Sequence, residues 1–192
     1  EKLIKMKKNI LISTGGSGGH VVPATIFYEH LKKNFEVNIS SDKRGSQFLN
    51  NKGEDFLNII SSNFSIKDVF MNQINYDAID FDFSSGDIDG IVINNVGNDA
   101  LDFSGSKVTA RNIKISNAGD KGISAGEKSE ISIRNLLINK AKIAVASKDL
   151  SQLEIFNYKV TNSDIGATAY QKKSEYGPGY ININNIDIKN TI

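Results

Sequence analysis

From Phe64 onward, apolar residues come in short alternating runs broken by single Gly, Asn or Asp residues, and the pattern returns every 22 or so positions. The residue before each apolar triplet is Asp68, Gly90, Asn112, Asn135, Asn157 or Asn185, at steps of 22, 22, 23, 22 and 28. These residue types tolerate a left-handed backbone most readily. Five positions further on runs a second column: Gln73, Asn95, Asn117, Lys140, Asn162 and Asn190. Asn and Gln side chains stacked about 4.8 Å apart can pass hydrogen bonds from one to the next. Fixed-period similarity of this kind predicts a solenoid.

Three extended pieces are expected per coil. The first reads Asp77-Ala78-Ile79-Asp80-Phe81 and Asp99-Ala100-Leu101-Asp102-Phe103, then Lys121 to Ala125, Lys142 to Ala146 and Asp164 to Thr168. Alternation turns Ile79, Phe81, Leu101, Phe103, Ile123 and Ala125 inward, followed by Ala144, Ala146 and Gly166. The second piece supplies Ile66, Ile88, Val108, Ile131, Leu153 and Ile181; the third supplies Val69, Ile91, Ile113, Leu136, Tyr158 and Ile186. Inward parity flips at the intervening Gly, Asn or Asp, as a corner between sheets requires. The expected fold is mainly β: a parallel β-helix of about five to six coils over residues 63–192. A flat sandwich would join its strands by turns of varied length and would not hold these columns.

The first 62 residues lack the repeat and form a separate expected unit. Asn9 to Ser13 reads as a buried strand, Pro23 to Lys33 as a helix opened by proline, and Phe35 to Ile39 as the next strand. This is a βαβ unit with Gly15, Gly16, Ser17, Gly18, Gly19 and His20 in its first connection. A glycine loop before a helix N-terminus offers N–H groups to an anion such as phosphate, and it also serves as a plain tight turn. His20 fits a general base, an anion partner or a helix-end hydrogen bonder. A dinucleotide fingerprint fails because Val21 stands where its last glycine is needed, and a P-loop fails for want of a Gly-Lys pair.

The chain has 23 Lys and Arg against 22 Asp and Glu. Residues 1–62 hold 9 basic and 6 acidic side chains, and the remainder 14 and 16. Neither half has the concentrated basic face of a nucleic-acid binder. Lys2, Lys5, Lys7 and Lys8 suit anionic lipid or plain solvent equally. The absence of cysteine excludes disulfides, thiolate zinc sites and a thiol nucleophile. No apolar stretch approaches the roughly 18 residues of a transmembrane segment, and Asn9 to Ser13 is too short for a secretory signal.

Residues 64–192 resemble the right-handed parallel β-helix repeat proteins of the pectin-lyase-like superfamily. That group includes polysaccharide lyases, glycoside hydrolases, phage tailspikes and repeats without catalysis. Gly15-Gly16-Ser17-Gly18-Gly19-His20-Val21-Val22-Pro23-Ala24, together with Ser41 to Ser46, resembles the start of the MurG-type glycosyltransferases over roughly Met6 to Ile60. Those enzymes move N-acetylglucosamine from UDP to a lipid-linked peptidoglycan precursor. The resemblance implies that Gly15 to Gly19 face a lipid-linked diphosphate, with His20 beside the reacting centre. The family's second domain, which carries most of the nucleotide-sugar site, has no counterpart here. The first resemblance implies a secreted or surface protein, the second a cytoplasmic one at the inner membrane.

Asp80 and Asp102 share one outward column, and Asp82 shares their face. Like charges about 4.8 Å apart invite a cation or a raised pKa. Superfamily lyases hold calcium on such carboxylates, which makes Asp80, Asp82 and Asp102 candidate calcium ligands; plain solvated ladders are the alternative. A second column runs through Asp77, Asp99, Lys121, Lys142 and Asp164. Gln171 to Gly179 interrupts one coil as a polar loop of the kind that rims binding faces. Ile192 ends a strand without a polar cap, leaving an edge suited to a partner or an oligomer. The expected function is a non-catalytic scaffold or glycan-contacting module with an incomplete transferase-like segment. The alternatives are a transferase-related protein and a polysaccharide-active β-helix enzyme.

Overall fold

The structure, a computed structural model, describes residues 9–14, 18–33, 36–41 and 55–191. The chain divides into two compact units, residues 1–54 and 55–192. In the first, β1 (Asn9–Thr14) pairs in parallel with β2 (Glu36–Ser41), and α1 (Gly18–Leu31) joins them. The helix begins five residues before Pro23, so the proline stands inside it rather than in its first turn. Gly18, Gly19 and His20 are therefore helical and not part of the expected loop. Gly15, Gly16 and Ser17 lie outside the described residues.

The second unit is a parallel β-solenoid of about five turns. Wall one contains β3 (Asp55–Ile60), β5 (Asp77–Asp82) and β7 (Leu101–Ser104), paired in that order. It continues through the ends of β8 (Lys107–Gly126) and β9 (Glu130–Lys148) to β11 (Thr168–Tyr170). Walls two and three are formed by β4 (Asn63–Ile74), β6 (Ser85–Val96), the first parts of β8 and β9, β10 (Gln152–Thr161) and β12 (Tyr180–Lys189). The stack starts at Asp55, inside the segment the sequence reading assigned to the N-terminal unit, because Asp55 to Ile60 pairs with β5.

The corners explain the period. Asp68, Gly90, Asn112, Asn135, Asn157 and Asn185 all have positive φ, from 51° to 79°. The second column does the same from Gln73 to Asn190, including Lys140 at 67°. A left-handed residue re-aims the strand and inverts which alternate side chains face inward, so Ile88 and Ile91 are both buried on either side of Gly90. Asn side chains then link the turns. Asn112 donates to Asp89, Asn135 to Asn112, Asn157 to Asn135 and Asn185 to Asn157, at 2.9 to 3.1 Å. In the second column Asn95 donates to Asn72 and Asn117 to Asn95; Lys140 interrupts, and Asn162 and Asn190 resume.

Ile79, Leu101, Ile123 and Val145 stack in register inside the coils, and Phe64, Phe81 and Phe103 stack beside them. Ile123 pairs with Val145 and Ala125 with Ser147, so Val145 and Ser147 take the inward places expected for Ala144 and Ala146. The cause is an irregularity between Ala118 and Lys121, which changes the offset to the next turn from 23 to 22 residues. For the same reason Ile143, not Lys142, continues the Asp77–Asp99–Lys121 column.

A buried serine column has no precedent in the sequence reading. Ser84, Ser106, Ser129 and Ser151 each accept, through Oγ, the N–H of the residue one turn earlier: Ser62, Ser84, Ser106 and Ser129. Buried N–H groups at this corner are thereby satisfied by hydroxyls where no strand partner serves them.

Candidate functional site

In the N-terminal unit, His20 lies in the first turn of α1, where the Thr14 hydroxyl donates to its carbonyl at 3.0 Å. Ile12, Ser13, Thr14, His20, Ala24 and Phe27 line an open cleft of about 450 Å³. The cleft sits at the carboxyl end of β1 beside the helix start, the place where open α/β units receive ligands. Helix N–H groups in the first turn suit an anion there.

In the solenoid, the outward face of wall one concentrates charge. Register places Asn58, Asp80, Asp102, Ser124, Ala146 and Thr168 in one column. Ile60, Asp82, Ser104, Gly126, Lys148 and Tyr170 form the next. The sequence reading therefore placed Asp80, Asp82 and Asp102 on one face correctly. It missed Lys148, whose side chain is only 8% exposed. Lys148 runs back along the wall to donate to Ser124 Oγ at 2.7 Å, with its Nζ 3.9 Å from Asp102 Oδ1. Gly126 makes room: a Cβ there would sit 3.4 Å from Lys148 Cε.

The carboxylates on this wall are poorly neutralised. Oδ1 of Asp80 and Oδ1 of Asp102 are buried without a hydrogen-bond partner. Burial, followed by the charges of Asp82, Asp102, Asp55 and Asp77, pushes the Asp80 carboxyl up to about 8. Asp82 is also raised, by burial and then by Asp102 and Glu127. Among the described residues, no group of three or more His, Cys, Asp and Glu side chains is placed to hold a metal ion.

The neighbouring acidic column is built differently. Asp77 Oδ1 accepts the N–H of Asp99 at 2.7 Å and the Asn98 amide at 2.6 Å. Asp99 Oδ1 accepts the N–H of Lys121 at 2.9 Å, and Lys121 Nζ pairs with both Asp99 and Asp120. Burial raises Asp99 to about 6 even against the opposing charge of Lys121. These carboxylates are committed to backbone N–H groups and serve the corner, whereas Asp80, Asp82 and Asp102 face outward from the strand.

The loop 171–179 folds over the adjoining corner. Asp149 Oδ1 accepts the N–H groups of Lys172 and Lys173 at 2.7 and 2.8 Å, and Lys173 pairs with Glu127. Lys128 Nζ lies 5.8 Å from the Tyr176 ring centre. No helix is long and apolar enough to cross a membrane, among the described residues.

The chain is thus a parallel β-solenoid with a charged outer wall, joined to a short α/β segment. That segment matches a known enzyme. Over 45 residues the chain is 69% identical to the UDP-N-acetylglucosamine--N-acetylmuramyl-(pentapeptide) pyrophosphoryl-undecaprenol N-acetylglucosamine transferase of Pelagibacter ubique (strain HTCC1062). The match takes in 23% of this chain and 13% of that enzyme. No family model and no solved structure matches the chain.

Proposed function

We propose that the chain is a non-catalytic β-solenoid module that contacts a glycan along the outward face of wall one, with an incomplete glycosyltransferase-like segment at its N-terminal side. The observation that carries this reading is the in-register pairing of Asp80 with Asp102 and of Asp82 with Ser104 on that face. It supplies carboxylates and a hydroxyl at the strand spacing of about 4.8 Å, a pitch on which an extended chain of sugar hydroxyls can be followed. Glycan microarray binding by the full chain tests it. Retention of a polysaccharide that is lost in Asp80→Asn/Asp102→Asn is expected; no retained glycan would overturn the reading.

A second reading is favoured by the 45-residue identity and by the His20 cleft: this segment binds a diphosphate of the kind found in lipid-linked sugar precursors. Transfer itself needs a donor site, and the matched segment corresponds to only 13% of that transferase. A thermal shift with undecaprenyl-type diphosphates or UDP-N-acetylglucosamine, abolished by Gly18→Val, supports this reading; absence of any shift removes it.

A further inference from the structure

The outer faces of the solenoid handle charge differently. Wall one gathers carboxylates, and wall two neutralises charges across turns, Lys107 with Glu130 and Arg111 with Asp89. Wall three, the stretch of each coil that follows the corner column Asp68 to Asn185, does neither. Strand register sets Phe70, Val92, Lys114, Leu137, Lys159 and Asp187 in one outward column. Phe70 is 67% exposed, and Val92 and Leu137 are half-buried. The neighbouring outward column, from Asn72 to Thr161, carries only amides and hydroxyls.

Between its corner columns this face carries one carboxylate among the described residues, Asp187, and Lys159 already pairs with it at 3.5 Å. Lys114 and, in the second corner column, Lys140 are exposed with no ion-pair partner among the described residues. The face therefore joins free ammonium groups to apolar side chains that point away from the filled interior. A surface with both anionic groups and apolar depth complements that combination. Lysine stems can lie along the apolar neighbours while their heads stay in a polar layer.

A soluble polyanion matches less well. Lys114 and Lys159 stand two turns apart with Leu137 between them, so regularly spaced charges would pass over an apolar residue, and Phe70 would stay uncovered. Lipids rearrange laterally, and their headgroups can meet each ammonium where it stands. We propose that the outer face of wall three docks on an anionic phospholipid bilayer, with Phe70, Val92 and Leu137 at the headgroup boundary and Lys114 and Lys140 on the phosphates. The glycan reading is independent of this, because the two faces share no residue.

Vesicle sedimentation of the full chain tests this, with phosphatidylcholine alone and with about 30% phosphatidylglycerol added. The anionic vesicles are expected to carry the chain down and the neutral ones to leave it in solution. Raising salt from about 0.1 M to about 1 M is expected to release it. Lys114→Gln/Lys140→Asn changes two exposed positions and gives Lys140 the residue type of its own column. It is expected to keep the parent melting temperature and to weaken binding about twentyfold, at about fivefold per lysine. The chain contains no tryptophan, so Phe70→Trp is a single reporter, expected to shift its emission to the blue on anionic vesicles alone. Binding unchanged in Lys114→Gln/Lys140→Asn, or a Phe70→Trp emission unmoved by anionic vesicles, overturns the proposal. Capture of the chain by dextran sulfate with no binding to vesicles also overturns it, and assigns the face to a soluble polyanion.

Discussion

Phe81 and Phe103 lie on successive turns with ring centres 4.9 Å apart and planes 11° from parallel, both fully buried. The 22-residue period sets this spacing, since each ring is carried by a strand paired in register with the next. Truncation of Phe103 removes a stacked ring from a closed interior that has little freedom to collapse. Phe103→Ala is expected to lower stability by about 3–5 kcal/mol, with Phe103→Leu costing less than half of that. Urea denaturation followed by circular dichroism measures both; a loss below 1 kcal/mol for the alanine would mean the turn is not packed as described.

Asn135 combines two roles that substitution can separate. It holds φ 62° and both donates to Asn112 and accepts from Asn157. Glycine keeps the conformation and removes the ladder; alanine removes both. Asn135→Ala is expected to destabilise by about 1–2 kcal/mol more than Asn135→Gly, the cost of a left-handed alanine. Equal midpoints in urea for the two variants would contradict this division.

Ser106→Ala tests the buried hydroxyl column. Its Oγ accepts the N–H of Ser84 at 2.9 Å and donates to the carbonyl of Phe81 at 2.8 Å. Removing it strands a buried N–H, for an expected loss of about 1–3 kcal/mol. Hydrogen exchange should quicken specifically at the Ser84 amide. Unchanged protection there would show that the column contributes nothing.

Stability is expected to fall as pH rises from about 4 to 8. Asp80 is raised to about 8 and Asp99 to about 6, with Asp77 and Asp82 shifted in the same direction. Over that window the native chain binds more protons than the unfolded chain, so the slope of unfolding free energy with pH is negative. The stabilisation from a protonated Asp80 is complete below its unfolded pKa and is lost as pH passes through 8. Asp80→Asn should flatten the slope and raise the melting temperature at pH 8.5 by several degrees. A melting temperature that rises from pH 4 to 8 in the parent chain would refute the assignment.

Much of the solenoid was legible because one left-handed corner column, from Asp68 to Asn185, is filled by Gly, Asn and Asp alone. Asn112, Asn135 and Asn157 therefore announce their positions without any knowledge of neighbours. The serine column was not legible, since serine is common and its role depends on which N–H lies one turn earlier. Asp55 had a signal that went unused: it precedes Asp77 by the same 22 residues that separate Asp77 from Asp99. The irregularity between Ala118 and Lys121 left no mark in composition, so the outward and inward places of the fourth turn were exchanged. Lys148 was missed as part of the charged wall for the same reason. The helix start at Gly18 escaped notice because two glycines argue against helix on propensity alone.

Tyr180 resumes pairing with Gln152 directly after the excursion of residues 171–179, and every later partner keeps its place. The architecture thus tolerates extra chain at a bend without propagating any error into the stack. Each bend is consequently a port at which new segments can be acquired or exchanged one at a time, while the column of buried side chains that holds the molecule together is left untouched.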